Sequence, residues 1–121
     1  MTPGVVRSPL DATAVATEAR SRGASVGVVG PATRRAELLA AIGRALHFPG
    51  YYGRNLDALE ECLGDLSWLP EGEVVLVWDG DEELHHADPA GHAALMEVLT
   101  AATEQMAGGP RPLRVVLPER P

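Results

Sequence analysis

The residues best suited to chemistry in this sequence lie between Tyr51 and Asp65. Tyr51 and Tyr52 stand side by side, Gly53 and Arg54 follow, and Asn55 opens a run that reads as a short helix to about Asp65. Asn is a favoured helix N-cap because its side-chain oxygen can accept from a free backbone N–H of the first turn. On a helical wheel Leu56, Leu59, Cys62 and Leu63 gather on one side. Asp57, Glu60, Glu61 and Asp65 occupy the opposite arc, and Asp57, Glu61 and Asp65 stand four apart, so they stack in a row. Each stacked like-charge pair weakens a helix by about 0.2–0.5 kcal/mol. Asp57 recovers part of that at the positive helix N-terminus, whereas Asp65 is set against the dipole. A helix selected for stability alone would place Lys or Arg among these positions, and none is there. An acidic ridge beside aromatic side chains suits a basic, concave partner. Carboxylates one helical turn apart can stand in for successive phosphates and block a nucleic-acid cleft without being cut. The plain alternative is a solvated helix face, with the tyrosines packed on the core.

Other chemistries fit less well. Asp57 and Glu61 could form an acid/base pair, but such pairs need environments that separate their pKa values, and an exposed helix face supplies none. Cys62 falls toward the apolar side and reads as a buried, inert thiol rather than a nucleophile. His85, His86, Asp88 and His92 could supply metal ligands, yet no HExxH-type spacing is present. They read as surface histidines on an acidic loop. Gly27, Gly30 and Gly108-Gly109 match neither the Walker pattern nor GxGxxG. The reading is of a protein without catalytic residues, metal or cofactor.

The charge distribution sharpens this picture. The 121 residues carry a formal net charge of −7, and all ten basic residues are Arg. Residues 1–50 hold six Arg against Asp11, Glu18 and Glu37. Residues 51–90 hold one Arg against eleven acids, a net −10. Those acids are interleaved with Leu, Val and Trp, so the segment is not a disordered tail. An acidic chain is a poor ligand for nucleic acid or an anionic membrane, since both bind mainly through Lys and Arg. The single Cys62 excludes an internal disulfide and suits a reducing compartment. No secretory signal or membrane span is readable, which predicts a cytoplasmic protein.

The elements that must position the ridge follow from pattern. Residues 11–22 are Ala-rich behind Asp11, a possible cap, and predict a short helix closed by Gly23. Ser25 to Val29 reads as a strand ended by Gly30-Pro31. Thr33 is placed to cap a helix running to about His47, with Leu38, Leu39, Ile42, Ala45 and Leu46 on its buried face. Phe48-Pro49-Gly50 stops it. Glu73 to Trp78 predicts a strand buried on both faces, Asp79 to Asp88 an acidic loop, and Pro89 the first turn of a helix to about Met106. Leu113 to Leu117 closes the chain as a last strand. Apolar strands separated by helices imply parallel pairing. The expected fold is α/β, a single small domain with a three-stranded parallel sheet packed by three to four helices.

The string Pro49-Gly50-Tyr51-Tyr52-Gly53-Arg54-Asn55-Leu56-Asp57-Ala58-Leu59, followed by Glu61-Cys62-Leu63, resembles the P-x-Y-Y-G-x-N-L-D-A-L motif of the barstar-related family of intracellular ribonuclease inhibitors. The resemblance covers residues 24–118 and leaves residues 1–23 as an N-terminal extension, partly flexible or a short helix. It implies a barstar-like fold and no enzymatic activity. It also implies that the loop at Tyr51 and the helix opened by Asn55 plug a ribonuclease active site, with Glu61 reaching deepest. The chain departs from the family pattern at several positions. Glu stands at 61 where the family usually has Asp, Glu60 replaces a Trp, Gly64 a Thr and Asp65 a Gly, and the acid of the last helix aligns with Ala101, one turn before Glu104.

The implied function is one-to-one inhibition of a small, basic, secreted ribonuclease, barnase-like or guanyl-specific. Tyr51, Tyr52, Gly53, Asn55, Leu56, Asp57, Glu60, Glu61, Gly64 and Asp65 are expected at the contact, with Gly53 allowing close backbone approach. The protein should be a monomer when free and should bind neither nucleic acid nor membrane directly. An immunity protein or binding module for another basic toxin is the competing expectation.

Overall fold

Every residue of the strand Val74–Trp78 is buried. Successive side chains of a strand point to opposite faces, so a strand with no polar position must be covered on both sides. The computed structural model, which describes residues 4–119, shows how this is done. Its elements run β1 (Val5–Ser8), α1 (Ala12–Ser21), β2 (Ser25–Val29), α2 (Arg35–Ala45), α3 (Leu56–Leu63), β3 (Val74–Trp78), α4 (Asp81–Ala87), α5 (Pro89–Met106) and β4 (Leu113–Pro118). The sheet is parallel throughout, in the order β1-β4-β3-β2. Val74, Leu76 and Trp78 face a core shared with Leu38, Ile42, Leu59, Leu63, Leu95 and Leu99 of α2, α3 and α5. Val75 and Val77 face the other way, onto Val15 and Ala19 of α1 and Val116 of β4. The domain therefore has three layers, and the expected α/β architecture holds.

Three details correct the sequence reading. Among the described residues the sheet has four strands, not three. The additional strand is β1, which pairs with β4 from Val5 opposite Val115 to Ser8 opposite Pro118. Four residues containing an Arg, set between Gly4 and Pro9, carry too little periodicity to announce a strand. Within residues 4–23 the expected short helix is present as α1, and it packs against the sheet that β1 joins. Second, the acidic stretch after β3 is not a loop. It forms α4, one of five helices among the described residues. Asp81, Glu82 and Glu83 occupy its first turn and His85 and His86 its last, a placement that complements the helix dipole. Its one buried apolar side chain, Leu84, is too little for a periodicity. Third, Thr33 does not cap α2. The cap position is Arg34, without a side-chain hydrogen bond, and the first turn is held instead by the Arg35 ion pair to Asp88, Nε to Oδ2 at 2.9 Å.

Asp11 does cap α1, accepting from the Ala14 N–H at 2.8 Å. Asp88 caps α5, accepting from the Gly91 N–H at 3.0 Å, with Pro89 in the first turn as expected. The hydrogen bond from Arg35, reinforced by the Gly91 N–H, holds the Asp88 carboxyl below the usual carboxylate range.

Candidate partner-binding face

α3 is short, and its position depends on the loop that enters it. That loop is pinned by aromatic contacts. Tyr52 donates its hydroxyl to the Leu39 carbonyl at 3.0 Å and meets the Phe48 ring edge-on at 4.8 Å. Phe48 in turn packs on Trp68, whose Nε1 donates to the Leu46 carbonyl at 2.9 Å. The Tyr52 ring packs against α2 at Gly43, where an added Cβ would come within 2.8 Å of Tyr52 Cε2. Burial pushes the Tyr52 phenol up to about 12. Tyr51 is the reverse case, 75% exposed beside α3. The two adjacent rings therefore divide the work, one anchoring the loop and one facing solvent.

Asn55 caps α3, its Oδ1 accepting from the Ala58 N–H at 2.8 Å. Leu59, Cys62 and Leu63 are buried, and Leu56 is half-buried at the edge of the core. Asp57, Glu60 and Glu61 are exposed on the opposite side. The helix ends earlier than the wheel assumes, with Gly64 as its C-cap. Asp65 is exposed in the turn beyond it, so the helical part of the row is Asp57 and Glu61. The chain turns there because Leu66, at φ 54°, is fully buried. Among the described residues none of the four carboxylates has a cationic partner. Burial, reinforced by the charges of Glu61 and Asp65, pushes the Cys62 thiol up, which fits an inert thiol rather than a nucleophile.

Gly53 is exposed and its φ is not positive. The left-handed residues of the loop are His47, at φ 57°, and Arg54, at φ 55°. Gly64 has a different reason to be glycine. A Cβ there would lie 2.9 Å from Gln105 Nε2 of α5. Asp57, Glu60, Glu61, Gly64 and Gln105 line one groove of about 420 Å³. α5 thus reaches the ridge through Gln105 rather than through Glu104. Helical spacing could have found it, since Gln105 stands one turn beyond Ala101 on the same face. A second groove, of about 510 Å³, joins α2 to α3 and is lined by Arg35, Ala36, Leu39, Arg54, Asn55, Leu56 and Asp57. Nothing in the one-dimensional pattern places Arg35 beside Asp57.

His85 and His86 are exposed, as expected, though on the helix α4 rather than on a loop, while His92 is built into the fold. His92 donates its Nε2 N–H to Asp81 Oδ2 at 2.8 Å, and Asp88 is taken by Arg35 and Gly91. Asp81 is 2% exposed, and Arg7 of β1 also grips it with both η nitrogens at 3.2 Å. Burial alone would raise the Asp81 pKa. The hydrogen bonds from His92 and Arg7 outweigh it and hold the carboxyl below the usual range. Among the described residues no group of three or more His, Cys, Asp or Glu is placed to hold a metal ion. Among them, too, no helix is long and apolar enough to cross a membrane.

The family model for barstar, described as barnase inhibitor, matches residues 29–118. No curated protein matches the chain. The match spans the sheet from the end of β2 to β4, together with the pinned loop, α3 and α5. Over most of its length, then, this chain belongs to the barstar (barnase inhibitor) family.

Proposed function

We propose that the protein inhibits a small, basic ribonuclease, barnase-like or guanyl-specific, by seating α3 and its preceding loop in the active-site cleft as a one-to-one complex. The observation that carries this reading is the row of exposed carboxylates on α3 with no cationic partner among the described residues. A cleft that holds RNA phosphates presents Arg, Lys and His at similar spacing. Glu61, at the centre of the ridge, takes the place of a phosphate, with Asp57 and Glu60 beside it and Asp65 at the edge. These contacts are charge-assisted hydrogen bonds. Leu56 supplies an apolar anchor and Tyr51 a flat aromatic surface. Gly53 lets the partner's backbone come close, Asn55 holds the start of α3, and Gly64 lies at the far end of the contact. Tyr52 contributes by holding the loop. The protein performs no chemistry of its own, is a monomer when free, and acts in the cytoplasm without binding RNA or membrane.

The test mixes the purified protein with a panel of barnase-like and guanyl-specific ribonucleases while RNA cleavage and complex formation are followed. Stoichiometric inhibition of at least one enzyme is expected, and no inhibition at micromolar protein would overturn the proposal. Glu61→Gln keeps the shape and removes the charge. It should weaken the complex by about 1.5–3 kcal/mol, roughly 10- to 150-fold in Kd.

A further inference from the structure

Beside the acidic ridge stands a side chain of opposite sign that the ridge does not use. Arg54 is exposed and forms no ion pair with Asp57 or any other described carboxylate. It sits at φ 55°, a left-handed conformation that a long side chain adopts at a cost and that Gly or Asn would adopt more cheaply. It also stands where two grooves meet. One joins it to Arg35 and Asp57 over the apolar floor of Ala36, Leu39 and Leu56. The other, of about 390 Å³, joins it to Arg44 and His47 over Phe48 and Tyr52. Arg44 is likewise exposed and unpaired. A cationic shoulder made by Arg44 and Arg54, with His47 in the groove between them, therefore adjoins the N-terminal end of the ridge.

Resting on the inhibitor reading above, we infer that the recognition surface is bipolar. The α3 carboxylates enter the ribonuclease's basic cleft, while Arg54, supported by Arg44, pairs with carboxylates on the rim of that cleft. The occupant of the shoulder is thus an acidic segment of the same partner protein. RNA phosphates would suit isolated Arg side chains, but here a net charge of −7 and four neighbouring carboxylates repel a polyanion. A carboxylate delivered by a mostly basic protein meets no such barrier. The guanidinium fork of Arg also matches a carboxylate with two parallel hydrogen bonds, which a Lys cannot do. Such a shoulder selects among basic ribonucleases, because steering by net charge treats them alike and a rim carboxylate does not.

Charge reversal separates the two ideas by sign. If only the overall negative field mattered, Arg54→Glu would make the protein two charges more negative and speed its association with a basic enzyme. A bipolar surface requires the opposite, because a like-charge contact replaces an attractive one. The assay measures association and dissociation with each ribonuclease the wild-type protein inhibits. It compares Arg54→Glu, Arg54→Gly, Arg20→Glu and Glu61→Gln. Arg20→Glu makes the same change of net charge on α1, across the sheet from α3. Arg54→Gly removes the charge while easing the backbone. We expect Arg54→Glu to raise Kd about tenfold or more and slow association, Arg54→Gly to weaken binding by about two- to fivefold, and Arg20→Glu to leave it unchanged or tighter. Binding unchanged or tightened by Arg54→Glu would overturn the bipolar surface while leaving the inhibitor reading intact. Binding unaffected by Glu61→Gln, or a panel with no inhibited enzyme, would defeat that reading itself. Retention of RNA by the protein alone, lost in Arg54→Glu, would reassign the shoulder to phosphate and overturn the inference too.

Discussion

Tyr51 and Tyr52 show how far a residue's type can leave its role open. Both are adjacent aromatics before an acidic helix, yet one is 75% exposed and the other gives its hydroxyl to Leu39. Tyr52→Phe removes that donor and leaves the Leu39 carbonyl to find another. The expected cost is about 1 kcal/mol by chemical denaturation. The pH dependence follows from the raised phenol. Below pH about 10 the group is neutral in both folded and unfolded chains and contributes no slope. Above it the unfolded phenol ionises, whereas the folded one stays protonated until about 12, so stability is lost across that interval. Tyr52→Phe should remove part of this alkaline loss. An identical alkaline profile in the variant would show that Tyr52 is not the group responsible. The thiol of Cys62, buried beside two carboxylates, is expected to react slowly for the same electrostatic reason.

At the scale of the element, α3 is a helix of eight residues under like-charge strain, so its ends matter. The Asn55 cap meets one free N–H, and burial of Leu59, Cys62 and Leu63 supplies the rest of its hold. Asn55→Ala should cost about 1 kcal/mol of stability. It should also weaken inhibition beyond any lost contact, since the carboxylates of a frayed first turn are no longer aligned. Equal stability of the variant by denaturant titration would show that packing alone holds the helix start. α3, its cap and its acidic arc were legible because a short amphipathic helix with a favoured cap writes all three into local spacing. Its C-terminus was not, because the burial of Leu66 that ends it depends on a core assembled from distant segments. α4 was missed for a related reason. Its stability comes from dipole placement and from Asp81, whose partners Arg7 and His92 lie on other elements.

For the whole molecule, the ion-pair cluster ties the first strand to α4 and α5. Arg7 comes from β1, Asp81 from α4 and His92 from α5. Arg7→Ala leaves Asp81 buried with one partner. Because the guanidinium is itself largely exposed, the expected loss is about 1–2 kcal/mol rather than the larger cost of breaking a fully buried pair. The sign with pH is fixed by the lowered Asp81 pKa. Its stabilisation is present above the ordinary carboxylate range and disappears as pH falls through the folded-state value. Acid unfolding should therefore begin at higher pH in Arg7→Ala, and an unshifted acid transition would exclude the cluster as its cause. The molecule's field has a kinetic consequence of its own. Association with a basic ribonuclease should slow as salt rises, since screening shortens the reach of the net −7. A salt-independent on-rate in stopped-flow mixing would leave only short-range packing to drive the encounter.

The sequence by itself determined the strands after residue 24, the amphipathic helices and the clustering of negative charge on one helix face. Those properties are local, carried by alternation, three-to-four spacing and caps. Only the tertiary structure decided that β1 completes the sheet, that Tyr52 turns inward while Tyr51 stays out, and that Gln105 and Arg54 border the ridge. Each of these depends on which distant segment fills the adjoining space, and close packing of the whole chain settles that where spacing along it does not.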